Sequence, residues 1–365
     1  MSTQPTPALS RSLWSRLGTR EPTLTRGGFL RAAAAGLFAT GAAGSLAACG
    51  AADSASGGGF TYASILPFDT LTFIPEMMGT AGGYLSDQGV DMKVEIARGT
   101  AQAMQTVLAG KAPVVRPSMI DLATARTTAK QPLVAIGTVM RGPSVVLNYA
   151  KNDALDDPTK LVGKTVGIPS KGGTSEQTLL LMLTDAGVDP DDVKRQVVGQ
   201  SPSTWELVRR GQLAGFISGI DVSLIIQSQY DDAAALDPGK YSSIQSTTQI
   251  YVTTEDAVQK QADKLTGFLS AIRASMQAVI DDQSRAKSIQ TLRKKYHFAT
   301  LDDDAIAKRA FDVYVDLWTT QANGRKLLET DQEKWVAGIE KLQKLGYISG
   351  VSKPETWMTN DLLKA

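Results

Sequence analysis

The chain has 365 residues, enough for two domains or one large domain with a substantial core. Its 38 basic and 37 acidic side chains nearly cancel, so the charge excess of a nucleic-acid-binding protein is missing and we expect no nucleic-acid partner. The single His and the single Cys argue against a zinc site built from several nitrogen and sulfur ligands, and one Cys excludes an intrachain disulfide. We therefore expect no metal and no cofactor.

Residues 1–48 have the layout of a secretory signal peptide. A segment rich in Arg, with only Glu21 opposing it, precedes an uncharged run of small and apolar residues from Ala32 to Ala48. This run is too short for a membrane span, which needs about 20 apolar residues. A buried Ala-rich helix is the alternative interpretation. The pattern predicts a signal peptide that is removed on export.

The segment that follows resembles the lipobox of bacterial lipoproteins, in which the Cys is diacylated and becomes the new N-terminus. It reads Leu46-Ala47-Ala48-Cys49-Gly50. Thr25 to Arg31 is similar to a twin-arginine export motif, but Gly27 stands in place of the second Arg, so the general secretory route stays open. Residues 50–59 are small, polar and rich in Gly, which is typical of a flexible tether. We predict a lipid-anchored linker over 49–59 and a domain at the outer face of the cytoplasmic membrane or in the periplasm.

Short strand-like runs alternate with amphipathic helical stretches from Phe60 to residue 149. The predicted elements are a strand at 60–66, a helix marked by Phe73, Met77, Met78 and Ala81, a strand at 90–96, a helix at 101–109, a strand at 113–116, a helix at 119–128 and strands at 132–140 and 144–149. This alternation predicts a mostly parallel sheet with helices on its faces.

The same alternation restarts near residue 162. The predicted elements are a strand at 165–168, a helix from Thr174 to Ala186 that ends at Gly187, a strand at 197–199, a helix through Trp205, Leu207 and Val208, and a strand at 214–218. In both halves a helix ends on a Gly, at Gly110 and Gly211, and a strand begins within a few residues. Two similar α/β lobes are therefore predicted.

The C-terminal part returns through a strand at 248–253 into long helices. Three sets of apolar residues recur there at helical spacing, beginning at Leu265, Ile306 and Trp335. Each set is predicted to be core, packed on the first lobe, because such stripes are more often core than ligand site.

Three segments carry a family resemblance: GKTVGIPSKGGTSEQTLLLMLTDAGVDPDDV at 163–193, ARGTAQAMQTVLAGKAP at 97–113 and GQLAGFISG at 211–219. They resemble periplasmic solute-binding proteins of ABC importers, within the nitrate/sulfonate/taurine and thiamine-pyrimidine (NMT1/THI5-like) group. Ala214 and Pro113 stand where that group carries Asp. The resemblance extends from about Phe60 to about Gly346.

The resemblance implies a type II periplasmic-binding-protein fold, with two α/β lobes of mainly parallel strands joined by a two-strand hinge. Lobe 1 would comprise residues 60–147 plus 250–365, and lobe 2 residues 148–249. The chain would cross between them near 146–148 and 248–251.

The resemblance also implies a function. The chain would be a monomeric extracytoplasmic lipoprotein that captures a small anionic or zwitterionic organic solute between its lobes and passes it to an ABC permease with its ATPase. Two alternatives stay open, an enzyme of cofactor biosynthesis on the same fold and a ligand-sensing lipoprotein without a transporter. The only His, His297, lies in a polar stretch and is more typical of a surface residue than of a catalytic one.

In open α/β sheets, ligands bind beyond the carboxyl ends of strands, where helix N-termini offer free N–H groups to anions. Thr174 and Gln177 have capping-box spacing after two Gly residues, so this helix start is the preferred binding segment, with a plain helix cap as the alternative. Arg116 follows an apolar strand and would pair with a sulfonate, carboxylate or nitrate, unless it is a surface Arg. If Asp69 or Asp221 faces the cleft, the ligand also carries an amine or ring N–H.

The full set of predicted ligand-binding residues is Phe68, Asp69, Phe73, Gly99, Thr100, Arg116, Ser118, Met119, Gly173, Thr174, Ser175, Ser218, Gly219 and Asp221. Ser118 and Ser218 would donate neutral hydrogen bonds. Phe68 or Phe73 would form a wall, although Phe73 at helical spacing with Met77 also fits the core.

Overall fold

The structure is a computed structural model that describes residues 59–241, 248–319, 322 and 324–364. The predicted signal peptide, the lipidation site at Cys49 and all of the predicted linker except Gly59 lie outside these residues.

Ten strands occur in the described residues. They are β1 (Phe60–Ser64), β2 (Met92–Ile96), β3 (Val114–Val115), β4 (Leu133–Met140), β5 (Val145–Ala150), β6 (Thr165–Ile168), β7 (Lys194–Val197), β8 (Gly215–Gly219), β9 (Ala233–Leu236) and β10 (Gln249–Thr254).

Thirteen α-helices occur in the same part of the chain, with short 3₁₀ turns between them. They are α1 (Ile74–Ala81), α2 (Tyr84–Asp87), α3 (Thr100–Leu108), α4 (Met119–Thr128), α5 (Thr174–Asp185), α6 (Trp205–Arg209), α7 (Ile220–Gln229), α8 (Glu255–Lys260), α9 (Ala262–Asp281), α10 (Ala286–Arg293), α11 (Ala299–Asp302), α12 (Asp304–Thr319) and α13 (Gln332–Lys344). None of these helices combines the length and apolar character needed to cross a bilayer.

The strands form two five-stranded sheets with the same topology. The first has the order β2-β1-β3-β10-β4 and the second the order β7-β6-β8-β5-β9. In each sheet four strands run in one direction, and one strand, β10 or β5, runs antiparallel to its neighbours. The predicted α/β fold with two lobes of mainly parallel strands is confirmed.

Both crossings between the sheets lie closer to the N-terminus than predicted. β5 pairs with β8 from Val145 onward, so residues 146–148 belong to the second sheet and the first crossing lies at 141–144. β10 pairs with β4 from Gln249, so the second crossing also ends before the predicted 248–251. The predicted positions were wrong because the apolar residues of β4 and β5 form nearly one run, interrupted only by Arg141-Gly142-Pro143-Ser144.

The apolar stripes of the C-terminal helices form the core of the first lobe, as predicted. Phe268 of α9 stacks on Phe60 of β1 with ring centroids 4.8 Å apart, and Trp318 of α12 is buried in the same cluster. Trp335 of α13 packs against the other face of the same sheet. A fully buried aromatic or Leu side chain contributes about 1.5–3 kcal/mol, so these stripes hold the C-terminal segment in place.

Helix α7 joins the two lobes and was missed by the sequence analysis. Val222 and Ile226 pack in a cluster of the second lobe around Trp205, whereas Leu224 packs in the core of the first lobe. Residues 221–226 are all buried. A helix with apolar residues on every side has no 3.6-residue periodicity, which explains why no helix was predicted here.

Two edge strands also depart from expectation. β7 is the polar segment Lys194–Val197, three residues before the predicted strand at 197–199. β2 has the predicted alternation, but Val94 and Ile96 are exposed because β2 lies at the edge of its sheet. Alternation therefore identified the strand and not its buried face.

Candidate functional site

A cavity of about 470 Å³ lies between the two lobes, within the usual range for a small-molecule site. Its walls come from the loop after β1, from residues directly after β6 and β7, from α7 and from the start of α11. The lining residues are Leu66, Pro67, Asp69, Thr70, Pro169, Val198, Gly199, Gln200, Ser201, Pro202, Val222, Ile225, Phe298, Ala299 and Thr300. The cavity thus lies beyond the carboxyl ends of strands from both sheets, where α/β proteins bind ligands.

Asp69 is the one ionisable side chain among the lining residues. It is exposed to the cavity. Partial burial raises the pKa of Asp69, and the negative charge of Asp221 adds to this increase. A backbone hydrogen bond opposes the increase. The described lining residues include no Lys, Arg, His or Cys, so they offer a carboxylate, hydroxyl groups and the amide of Gln200, and no cation or thiol.

Asp221, at the start of α7 in the second lobe, is fully buried against the first lobe. Its Oδ1 accepts hydrogen bonds from Thr70 Oγ1 at 3.1 Å and from the Tyr314 hydroxyl at 3.2 Å. Its Oδ2 accepts from the Leu71 N–H at 3.0 Å and from Thr300 Oγ1 at 3.4 Å. Burial raises the pKa of Asp221, although these hydrogen bonds oppose the shift. Asp221 therefore connects the lobes through Thr70 and Thr300, which both line the cavity.

Arg116 is not a ligand-binding residue in this structure. Its side chain is 1% exposed, and Nη1 lies 3.1 Å from each carboxylate oxygen of Glu76. Nη2 donates to the Thr72 carbonyl oxygen at 2.8 Å, and the guanidinium lies over the Phe73 ring at 4.5 Å. The prediction that Arg116 binds an anion is wrong because a buried Glu already neutralises its charge.

Two Tyr hydroxyls complete this buried ion pair. Tyr62 and Tyr251 donate to Glu76 Oε1 at 3.0 and 2.8 Å. Burial, and then the charge of Glu76, raises the pKa of both phenols well above the usual value, so they stay protonated as donors. Apart from Arg116 Nε, which has no hydrogen-bond partner among the described residues, the polar groups of this cluster are paired with one another inside the first lobe.

The predicted capping box at Thr174 and Gln177 is absent. Helix α5 has Gly173 as its N-cap, without a side-chain hydrogen bond, and Thr174 is already helical. Thr174 Oγ1 donates instead to Asp121 Oδ2 of the first lobe at 3.2 Å. The Thr174 hydroxyl, which the sequence predicts to bind a ligand, thus forms a contact between the lobes.

Ser118 caps α4 and does not face the cavity. Its Oγ accepts from the Asp121 N–H at 3.1 Å, and Asp121 Oδ2 accepts from the Ser118 N–H at 2.9 Å, which is a complete capping box. The spacing Ser118-x-x-Asp121 carried this signal in the sequence. Burial raises the pKa of Asp121, opposed by the hydrogen bonds from Ser118 and Thr174.

Most of the other predicted residues are buried beside the cavity without lining it. Phe68 stacks on Phe73 at 4.8 Å as part of the first-lobe core, and Met119 is core as well. Ser218 is fully buried and accepts from Asn148 Nδ2 at 2.8 Å. Gly173, Gly219 and Thr100 are buried and Ser175 is half-buried, all outside the lining.

Gly99 lies at the contact between the lobes. It has a φ of +98°, and a Cβ placed on it would lie 3.8 Å from Ser170 Oγ of the second lobe. The residue therefore needs the conformational freedom of Gly. Of the predicted set, Asp69 is the residue that lines the cavity itself.

Most of the lining lies outside the predicted set of ligand-binding residues. Residues 198–202 are not in that set because the strand predicted at 197–199 extends past the true end of the polar strand β7 at Val197. Val222 and Ile225 lie on the helix that periodicity did not reveal. Phe298–Thr300 come from a C-terminal segment that only the tertiary structure brings to the cleft. No group of three or more metal-ligating side chains occurs in the described residues.

Comparison with known proteins agrees with this architecture. The family model described as NMT1/THI5 like matches residues 70–286, which is more than half of the chain. The chain belongs to the NMT1/THI5-like family. The matched region begins at Thr70, directly after Asp69, and it includes all of the second lobe.

Similar proteins bind small molecules, according to their descriptions. The formylaminopyrimidine-binding protein of Halalkalibacterium halodurans is 21% identical over 208 residues, 57% of this chain and 62% of the relative, so the match spans less than two thirds of that protein. The alkanesulfonate-binding protein SsuA of Xanthomonas axonopodis pv. citri, bound to MOPS, has a TM-score of 0.64 at 12% identity over 82% of this chain and 97% of its own. The zinc-bound ligand-binding component of an ABC-type import system of Staphylococcus aureus has a TM-score of 0.61 at 10% identity, over 84% of this chain and 97% of its own. At such identities the two structures establish the fold.

Proposed function

We propose that this protein is an exported, lipid-anchored solute-binding protein that captures a small organic solute between its lobes and delivers it to an ABC permease with its ATPase. Family membership supports a binding role, and the ABC-type import component with the same fold supports the transport role. Of the anionic and zwitterionic solutes predicted from the sequence, only a zwitterion brings an N–H group to Asp69.

The observation that carries this proposal is the cavity walled by both lobes. Thr70 comes from the first lobe and Val222 from the second, and both line it. A ligand that touches both walls stabilises the closed arrangement by its contacts with each lobe. No Cys, His or Lys occurs among the lining residues that the structure describes, so their chemistry fits binding better than covalent catalysis.

Thermal unfolding with added ligands tests solute binding. We would use the protein with Cys49→Ser against sulfonates, taurine, nitrate, amidines and pyrimidines. A true ligand at about 100 times its Kd adds about 2.7 kcal/mol to the free energy of unfolding, which raises Tm by a few degrees.

Two Trp substitutions make this experiment specific for the cavity. Ala299→Trp fills the cavity from an exposed lining position and should abolish the shift. Ala305→Trp, at an exposed position outside the lining, should leave it unchanged. A shift that survives Ala299→Trp would place the binding elsewhere.

The lipid anchor is tested separately by cell fractionation. We expect the wild-type protein in the membrane fraction because two acyl chains at Cys49 give stable membrane attachment. Cys49→Ser should move the protein out of that fraction. Wild-type protein that is recovered free of membrane would contradict the lipoprotein assignment.

A further inference from the structure

We infer that the solute presents a positively charged nitrogen, as an amine, an amidine or a protonated aminated ring, to Asp69, and that a purely anionic solute is rejected. This inference rests on the proposed function and specifies the class of solute.

The cavity carries negative charge without a compensating cation. Asp69 lines it directly, and Asp221 lies close enough for its charge to act on Asp69. Among the described residues, no Lys, Arg or His lines the cavity or pairs with either carboxylate. A cation that enters the cleft would therefore be attracted by the carboxylate of Asp69, and an anion would be repelled by it.

The neighbours of Asp221 do not neutralise it. Its four hydrogen-bond donors are the hydroxyls of Thr70, Thr300 and Tyr314 and the backbone N–H of Leu71, all uncharged. Arg116 is buried in the first lobe, and its charge is paired with that of Glu76. The described lining residues thus offer no cation to an anionic solute in this cavity.

The rest of the lining indicates an apolar body for the solute. The ring of Phe298, three rigid pyrrolidine rings and four branched aliphatic side chains line the cavity together with Asp69. The aliphatic side chains are those of Leu66, Val198, Val222 and Ile225. Beside these apolar walls, Thr70, Gln200, Ser201 and Thr300 supply neutral polar groups, and Asp69 supplies the charged group that would orient a compact ligand by its charged end.

Equilibrium dialysis against pairs of opposite charge and similar shape tests the inference. The probes are benzamidine with benzoate, benzylamine with phenylmethanesulfonate, and 4-aminopyridine with pyridine-4-carboxylate. The full chain with Cys49→Ser is compared with the same chain carrying Asp69→Asn, Ala299→Trp or Asp87→Asn. Asp69 and Asp87 are both exposed, so neither Asn substitution should affect folding, and equal thermal unfolding of the ligand-free variants verifies this.

The inference predicts that a cationic member of at least one pair is retained over its anionic partner. Asp69→Asn should retain the cation at least about tenfold more weakly, because it loses a charge-assisted hydrogen bond. Asp87→Asn should retain it as the unsubstituted protein does, and Ala299→Trp should not retain it. Preferential retention of an anionic partner, or equal retention of the cation by Asp69→Asn, overturns the inference and leaves the binding function intact. If no probe is retained above the level of Ala299→Trp, the proposed function of this cavity fails instead.

Discussion

Asp221 shows how one buried carboxylate can couple pH to the stability of this fold. Its pKa in the folded protein is raised above the usual value of 3.8 by burial. A carboxyl whose pKa is higher in the folded than in the unfolded chain stabilises the fold most at pH values below its unfolded pKa, where it is protonated in both states. This contribution is lost as the pH rises through the raised pKa of the folded protein. The free energy of unfolding of the wild type should therefore fall as the pH rises between these two pKa values.

Asp221→Asn removes the titrating group and keeps its shape. The hydroxyls of Thr70, Thr300 and Tyr314 can rotate to accept from the new amide, so the variant should fold. As the pH rises from below 3.8, we expect a smaller decrease in the free energy of unfolding than in the wild type, measured by urea unfolding. Asp69→Asn, at an exposed position, should change the pH profile less, and parallel profiles for wild type and Asp221→Asn would contradict the prediction.

The ion pair of Arg116 and Glu76 gives a second prediction at the scale of single residues. Arg116→Met or Glu76→Gln alone leaves a buried charge without its partner, which costs about 3–5 kcal/mol. The double variant removes both charges and should cost clearly less than the sum. Urea unfolding of the four proteins measures the coupling, and simple additivity would show that the two charges do not interact.

The sequence alone does not show what the buried side chains of Arg116 and Asp221 contact. It predicts Arg116 as the partner of an anion and Asp221 as a residue at the cleft. Whether a charged side chain faces a ligand or another residue depends on a partner 40 positions away for Arg116 and 151 for Asp221. No local pattern contains that information.

At the scale of elements, local periodicity and capping signals identified most helices and strands. α9 was predicted from apolar spacing and α5 from the Gly187 that ends it. β7 was misplaced and α7 was not predicted, because one is a polar edge strand and the other is apolar on every side. The burial of these two elements is set by their neighbours and not by their own period.

The capping box of α4 gives a prediction at this scale. Ser118→Ala removes the side-chain acceptor for the Asp121 N–H and should lower the free energy of unfolding by about 1 kcal/mol. Ser118→Thr retains the acceptor and should stay close to wild type. Urea unfolding measures both, and an Ala variant as stable as the Thr variant would argue that the box contributes nothing.

At the scale of the whole molecule, the two lobes meet through α7, through Leu181 of α5, which packs in a core cluster of the first lobe, and through polar contacts along α5. Thr174 of α5 donates to Asp121, and Thr184 further along the same helix lies 3.0 Å from the Tyr347 hydroxyl. Burial raises the pKa of Tyr347 to about 12, so this hydroxyl stays protonated in the neutral pH range. Such contacts are individually weak, which allows the arrangement of the lobes to respond to a ligand.

Thr174→Asp tests whether these contacts hold the lobes together. An acidic side chain suits the first turn of α5, so the helix should persist, but it would face Asp121 and repel it. We expect a larger radius of gyration for the ligand-free variant by small-angle X-ray scattering. Thr174→Asn, which is similar in shape and uncharged, should match the wild type, and equal radii for all three proteins would show that this contact does not control closure.

The sequence by itself determined the α/β alternation, the duplicated lobes and the membership of a solute-binding family, because apolar period, helix caps and family motifs are carried by residues close together in the chain. Only the tertiary structure decided which side chains meet in the cleft. It places Asp69 in the cavity, withdraws Arg116 to Glu76 and turns Thr174 and Asp221 towards the opposite lobe. The physical reason is that a binding site forms where distant segments converge, and the burial and charge of each side chain there depend on the partners that folding brings to it.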